Sequence, residues 1–200
     1  MLPGGKLYVP GAEKILVNIQ RLVSAAAKNG TILVSSADAH SENDAEFEMF
    51  PEHCIRGTPG ARIVPEGLIE NFRAVPNDPA MRLAPDILTA PQVILEKQSF
   101  DVFDNPHTSE LVERLGPDVE YVVFGVVAEI CVRCAAKGLL QRGHKVSIVS
   151  DAIETLEATN GKSALEELQR LGARFVTTDE ALTEIREVHG HRREFAKTRN

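Results

Sequence analysis

The chain has 200 residues, of which 43% are hydrophobic and 26% charged, with a formal net charge of −7 and a pI near 5.4. That length predicts a single domain over residues 1–200, and the acidic balance argues against a nucleic-acid partner, which needs a basic face. No apolar run approaches the roughly 20 residues that span a bilayer, no signal-peptide layout opens the chain, and the odd count of three cysteines forms no disulfide framework; a reducing, cytoplasmic setting without a membrane partner is the expectation.

In chain order, the periodicity predicts a helix over about Ala12 to Lys28, where Ile15, Leu16, Ile19, Leu22, Val23 and Ala26 share one stripe. Thr31–Ser36 then reads as a strand, followed by strands at Gln92–Glu96, Tyr121–Gly125, Lys145–Val149 and Arg174–Thr177. These are near-continuous apolar runs, as in strands buried on both faces of a parallel sheet. Further helices are predicted over about Ser109–Leu115, Ile130–Arg142, Lys162–Leu171 and Asp179–Val188. In "QRGHKV" and "RLGARF" a glycine falls just after a helix and just before a strand, a C-terminal stop. The alternation reads as an α/β fold: a doubly wound, mostly parallel sheet with helices on both faces. Residues 37–91 break the rhythm with a long, polar, proline-rich stretch that offers only short helical possibilities. Inserts of that kind are usually functional or disordered, and the content here favours function.

"SADAHSENDAEFEMFPEHC" directly follows the first predicted strand. In open α/β sheets, ligands bind beyond the carboxyl ends of strands. Asp38 and His40 are two apart, so on an extended strand end they point the same way, and His53 follows beyond a loop that can fold back. Two imidazoles and a carboxylate suit Zn²⁺, Mn²⁺ or Fe²⁺, with Glu46 or Glu48 as a fourth donor. Spacing alone leaves a second reading equally open, a solvated acidic loop with incidental histidines.

Cys131, in "FGVVAEICVRC", sits where a strand hands over to a helix. Amides at a helix start favour a thiolate and can hold an oxyanion, although a cysteine so placed is more often a buried small residue. Cys134, one turn on, reads as core, and Cys54 as packing behind the metal loop. Lys97, at the end of the strand "QVILEK", faces the same sheet edge as Cys131. Its ammonium can lower a thiol pKa, or it is simply a snorkelling strand-end lysine. The basic cluster 191–200 reads as a solvated end, and His189 and His191, which have no carboxylate cluster, are left out of the site.

Several stretches taken together resemble the nicotinamidase/pyrazinamidase branch of the isochorismatase-like cysteine hydrolases over essentially the whole chain. "FPEHCIRGTPGARIVPE" (50–66) resembles that branch's metal loop, "GVVAEICV" its nucleophile motif, "VSDAI" the strand that follows, "EKQSFDVF" its lysine strand, and "LPGGKLYVPGAEKI" the segment after its first strand. The resemblance implies a three-layer sandwich with a metal-binding insert over about 38–66, Cys131 as nucleophile and Lys97 as the triad lysine. It also implies Asp38, His40 and His53 as ligands of a divalent cation (Zn, Mn or Fe), Glu46 as a further ligand, and Phe50 packed on the substrate ring. A non-proline cis bond between Val126 and Val127 is implied as well, aiming the Val127 amide, with that of Cys131, at the oxyanion. The implied reaction is hydrolysis of nicotinamide to nicotinate and ammonia through a cysteine thioester, in NAD salvage. The implied partner is a small-molecule amide, and a homo-oligomer is compatible with the sequence.

Two departures stand out. Ala128-Glu129 replaces the family's usual Thr-Asp, which leaves another small amide or carbamoyl compound open as substrate. The family's triad aspartate lies at the end of a first, central strand, upstream of the point where "MLPGG" begins. The expectation is that this strand and its aspartate are absent and that Met1 is an internal methionine. A genuine absence would fit a non-catalytic ligand- or metal-binding relative.

Overall fold

Helix α1 (Ala12–Asn29) buries the predicted stripe, except that Leu16 is only half-buried. It stops where Gly30 turns left-handed at φ 64° and its N–H caps the Ala26 carbonyl, a backbone state that suits a residue without Cβ. The computed structural model describes residues 1–197, with side chains as far as residue 187. The side chains of His189 and His191 and of the basic stretch 191–200 therefore lie outside the described residues.

Six strands follow: β1 (Leu33–Asp38), β2 (Arg73–Val75), β3 (Gln92–Lys97), β4 (Glu120–Val126), β5 (Lys145–Glu154) and β6 (Arg174–Val176). Helices α2 (Thr108–Leu115), α3 (Arg133–Gln141), α4 (Ala158–Arg170) and α5 (Thr178–Lys197) alternate with them. All five predicted strands form. Strand β2 is the addition, and its three residues, set between loops, are too few to show a period. The helix predicted from Ile130 starts differently: Ala128–Val132 is a π-helical turn, and α3 begins only at Arg133.

Every ladder is parallel. Strand β5 shows how the layers form, because its successive side chains point to opposite faces. Val146 and Ile148 pack with Ala136 and Leu139 of α3 and Leu168 of α4, whereas Val149 packs with Leu22 of α1 and Ala181 and Leu182 of α5. Helices thus cover both faces of the sheet.

The sheet itself is in two halves, in the orders β1-β3-β2 and β4-β5-β6, and no ladder joins β1 to β4 among the described residues. Strands β3 and β5 are buried at their centres, while β4 is only half-buried along its length and β1 alternates between half-buried and exposed. Ile15, Ile19 and Val23 of α1 bridge the halves by packing on Leu33 of β1 and on Phe124 and Val126 of β4. No helix among the described residues is long and apolar enough to cross a membrane.

Candidate active site

The carboxyl ends of β1, β3 and β4 carry the chemistry. Parallel register sets Asp38 directly beside Lys97. The Lys97 ammonium, with its side chain 3% exposed, donates to Oδ1 of Asp38, to the Ser99 carbonyl at 2.8 Å and to Sγ of Cys131 at 3.5 Å. Burial by itself would lower the lysine pKa, but the cysteine and the aspartate beside it outweigh that and hold it above the ordinary value. Burial acts on Cys131 in the opposite direction and pushes its thiol up, with the charge of Asp38 adding to the effect. Lys97, and to a lesser extent the Val127 backbone, pull it down without cancelling the rise.

After β4 the Val126–Val127 peptide is cis, and the π-turn brings Cys131 back toward Lys97. Glu129 ties this turn down. Its carboxylate accepts from the Leu156 and Glu157 amides, each at 2.9 Å, and from the Thr155 hydroxyl at 2.7 Å. Burial would raise the Glu129 pKa, but these donors hold it below the usual carboxylate range. Sequence reasoning treated Glu129 only as a departure from a motif, because its partners lie more than 25 residues away.

The histidines converge from the insert. Ligand atoms of Asp38, His40 and His53 lie within 4.8 Å of one another. His40 is fully buried and neither of its ring nitrogens has a well-aligned hydrogen bond; Nδ1 stands 3.1 Å from Oδ2 of Asp44. His53 is 3% exposed, and its Nδ1 meets the Pro51 carbonyl at 2.8 Å, which leaves Nε2 pointing at Oε1 of Glu46, 3.5 Å away. The same oxygen is 3.9 Å from Nε2 of His40. A buried imidazole without partners is costly unless something binds it, so this donor set fits a divalent cation. Contact of Asp38 with Lys97 through one oxygen leaves its second oxygen for that role.

Aromatic rings line the approach. Phe47 packs against both histidines, with centroids 5.4 and 5.7 Å away. Phe50 stands edge-on to His53 at 6.3 Å and to Phe100 at 5.9 Å. Phe100, Phe47 and Asp44 were not singled out in the sequence. Phe100 had a signal, lying three residues past Lys97 in a quoted motif, whereas Asp44 sits in a loop with no period. Cys54 is half-buried, next to His53, and adopts a left-handed φ of 44°. Cys134, read as core, is also only half-buried.

Residues 70–180, more than half of the chain, match the isochorismatase domain. The protein belongs to the isochorismatase family. Its relatives include isochorismatase domain-containing protein 2 of Danio rerio, 32% identical over 89 residues, a match covering 44% of this chain and 45% of that protein. The isochorismatase-family chain thus spans less than half of that relative's length. The nicotinamidase of Escherichia coli (strain K12) is 22% identical over 197 residues, covering 87% of this chain and 88% of that one. Among solved structures, the pyrazinamidase of Pyrococcus horikoshii in complex with zinc is 26% identical with a TM-score of 0.69, over 88% of this chain and 92% of that chain. The three-layer α/β fold of the family is thereby shown.

Proposed function

We propose that this isochorismatase-family protein is a metal-dependent cysteine amidohydrolase that converts nicotinamide to nicotinate and ammonia. The observation that carries the reading is the contact chain from Asp38 through Lys97 to Cys131, set beside the buried His40–His53 pair. Similarity to a nicotinamidase over most of both chains, and to a pyrazinamidase crystallised with zinc, supports the choice of substrate and cofactor.

In this reading Lys97 stabilises the thiolate of Cys131 as it forms, and the sulfur attacks the carboxamide carbon. The Val127 and Cys131 amides stabilise the oxyanion. Lys97 gives one of its protons to the Asp38 carboxylate it contacts as it takes up the thiol proton, and the same relay run in reverse protonates the leaving nitrogen. Water then hydrolyses the thioester. Phe50, with Phe100 beside it, offers an apolar face for an aromatic ring. A divalent cation held by Asp38, His40, His53 and Glu46 would bind the pyridine nitrogen and orient the ring. Under this reading the protein works in the cytoplasm, in pyridine nucleotide salvage. A second reading, hydrolysis of another small amide or carbamoyl compound, is favoured by one observation, Ala128-Glu129 in place of Thr-Asp.

The test is ammonia release from nicotinamide by the zinc-loaded protein and its Cys131→Ala variant. Release that Cys131→Ala abolishes, with metal content kept, is expected. Release that survives in the variant overturns the nucleophile, and release from other amides but not from nicotinamide moves the reading to the second substrate class.

A further inference from the structure

The Lys97–Cys131 contact crosses the division in the sheet. Lys97 closes β3 in one half and Cys131 follows β4 in the other, and no ladder joins the halves among the described residues. Backbone register therefore leaves the 3.5 Å between them unset, and packing has to set it. On the face opposite α1, one ring lies against both halves. Phe103, in the single helical turn Val102–Asp104, packs on the cluster that holds Leu95 of β3 and on the cluster that holds Ala136 and Leu139 of α3. The ring comes that close because α3 carries a glycine there. Gly138 is buried, and a Cβ placed on it would overlap ring carbons Cδ2 and Cε2 of Phe103 and stand 3.3 Å from Cζ. Glycine inside a helix costs stability relative to alanine, and the space it leaves for the ring is the physical reason for it here. Arg142 closes this notch: its guanidinium carbon lies 3.8 Å from the ring centroid, and it donates to the Gly138 carbonyl at 3.0 Å.

Both sides of the notch lead to the site. On one side, the Ser99 carbonyl accepts from the Lys97 ammonium at 2.8 Å, and the Ser99 hydroxyl donates to Oδ2 of Asp104, next to Phe103, at 2.6 Å. On the other, the chain runs unbroken from Cys131 in the π-turn into α3 and on to Gly138. We propose that Gly138 and Phe103 are positioning residues: the ring seated in the notch left by the glycine holds the Lys97 end of β3 and the Cys131 turn at contact distance across the divided sheet. A methyl group at Gly138 drives the ring, and with it the segment from Ser99 to Asp104, away from α3. Lys97 then withdraws from the sulfur. The effect on turnover rests on Cys131 being the nucleophile of the proposed reaction, whereas the effect on its thiol does not.

The experiment compares the zinc-loaded parent with Gly138→Ala, Phe103→Leu and the double variant. It follows the pH profile of Cys131 alkylation by iodoacetamide, read on the tryptic peptide, with kcat and KM for nicotinamide and the thermal midpoint. Gly138→Ala should move the alkylation profile to higher pH and lower kcat about 100-fold, the scale of a misplacement of about 1 Å, with KM unchanged. Its thermal midpoint should fall, although alanine is the better helix former. Phe103→Leu, which leaves the notch unfilled, should also move the profile to higher pH. In the double variant the new methyl group meets no ring, so profile and kcat should lie nearer the parent than in either single variant. A Gly138→Ala profile that matches the parent's, even with a lower midpoint, shows packing without positioning and overturns the proposal. So does a double variant no nearer the parent than Gly138→Ala. If Gly138→Ala does not fold, the comparison passes to Phe103→Leu and the double variant, and equal profiles for those two overturn it. The expected profile shifts in a protein whose parent form hydrolyses no nicotinamide keep the positioning pair and remove the proposed function. Nicotinamide hydrolysis at the parent rate in Gly138→Ala, with the profile unmoved, does the reverse.

Discussion

A buried ammonium is tolerable only with compensating charge, and Lys97 has it from the Asp38 carboxylate, with Sγ of Cys131 as a further contact at 3.5 Å. The dependence is mutual, because Lys97 is what opposes the upward push of burial on the Cys131 thiol. Lys97→Met should therefore move the pH profile of Cys131 alkylation by iodoacetamide to higher pH and abolish amide hydrolysis. The sign follows from the thiolate being the reactive form: with the cation removed, a smaller fraction is ionised at any given pH. An unchanged alkylation profile would show that the 3.5 Å contact does not tune the sulfur. Asp44 plays a similar supporting part for His40, since its carboxylate lies 3.1 Å from Nδ1 and leaves Nε2 to face Glu46 and His53. Removing such an outer partner typically lowers metal affinity about 10- to 100-fold. Asp44→Asn should show a loss of that size in a zinc competition titration, with the circular dichroism spectrum unchanged; equal affinity would place Asp44 outside the cation's surroundings.

At the scale of elements, the turn carrying Cys131 is held from behind. Glu129 links it to the loop before α4, and Glu167 on α4 accepts from Arg133 at 2.5 Å and Lys137 at 2.8 Å on α3. Glu129→Ala strands the Leu156 and Glu157 amides, while the Thr155 hydroxyl keeps the Glu157 carbonyl at 3.0 Å, a loss of about 1–3 kcal/mol for each donor left without partner or water. Urea unfolding should show a lower midpoint for Glu129→Ala and partial recovery for Glu129→Gln, which keeps an acceptor. Equal midpoints for parent and Glu129→Ala would mean that the clamp adds nothing. For Glu167, Arg133 and then Lys137 lower the pKa from 4.5 to about 2. A folded-state pKa below the unfolded one contributes stability above pH 4.5, lost as pH falls from 4.5 towards 2. The carboxylate is a quarter exposed, so screening keeps the effect small. Thermal midpoints of the parent and Glu167→Gln should differ at neutral pH and converge near pH 2; a gap that persists there would be packing rather than charge.

At the scale of the whole molecule, two half-sheets share one helical cover. An edge strand leaves a row of backbone groups outside the ladder, and local opening is easiest there. Hydrogen exchange should therefore be faster along β1 and β4 than along β3 and β5, and uniform protection across all four would show that the edges are covered in solution. The strands and helices were legible in the sequence because burial on one stripe or on both faces leaves a local period, as Ile15, Ile19 and Leu22 of α1 and Val146, Ile148 and Val149 of β5 illustrate. Cys131, Lys97, Asp38, His40 and His53 could be singled out because each sits just beyond a predicted strand or in the insert. Only the tertiary structure decided that Lys97 meets Cys131 across 34 residues and Asp38 across 59, that Asp38 therefore serves the lysine as well as the histidines, and that the sheet is divided. It also turned Cys134 out of the core and set Phe100 against Phe50. The reason is physical: apolar periodicity reports which face of an element is buried, whereas contacts between distant side chains depend on strand order and register, which that period does not encode.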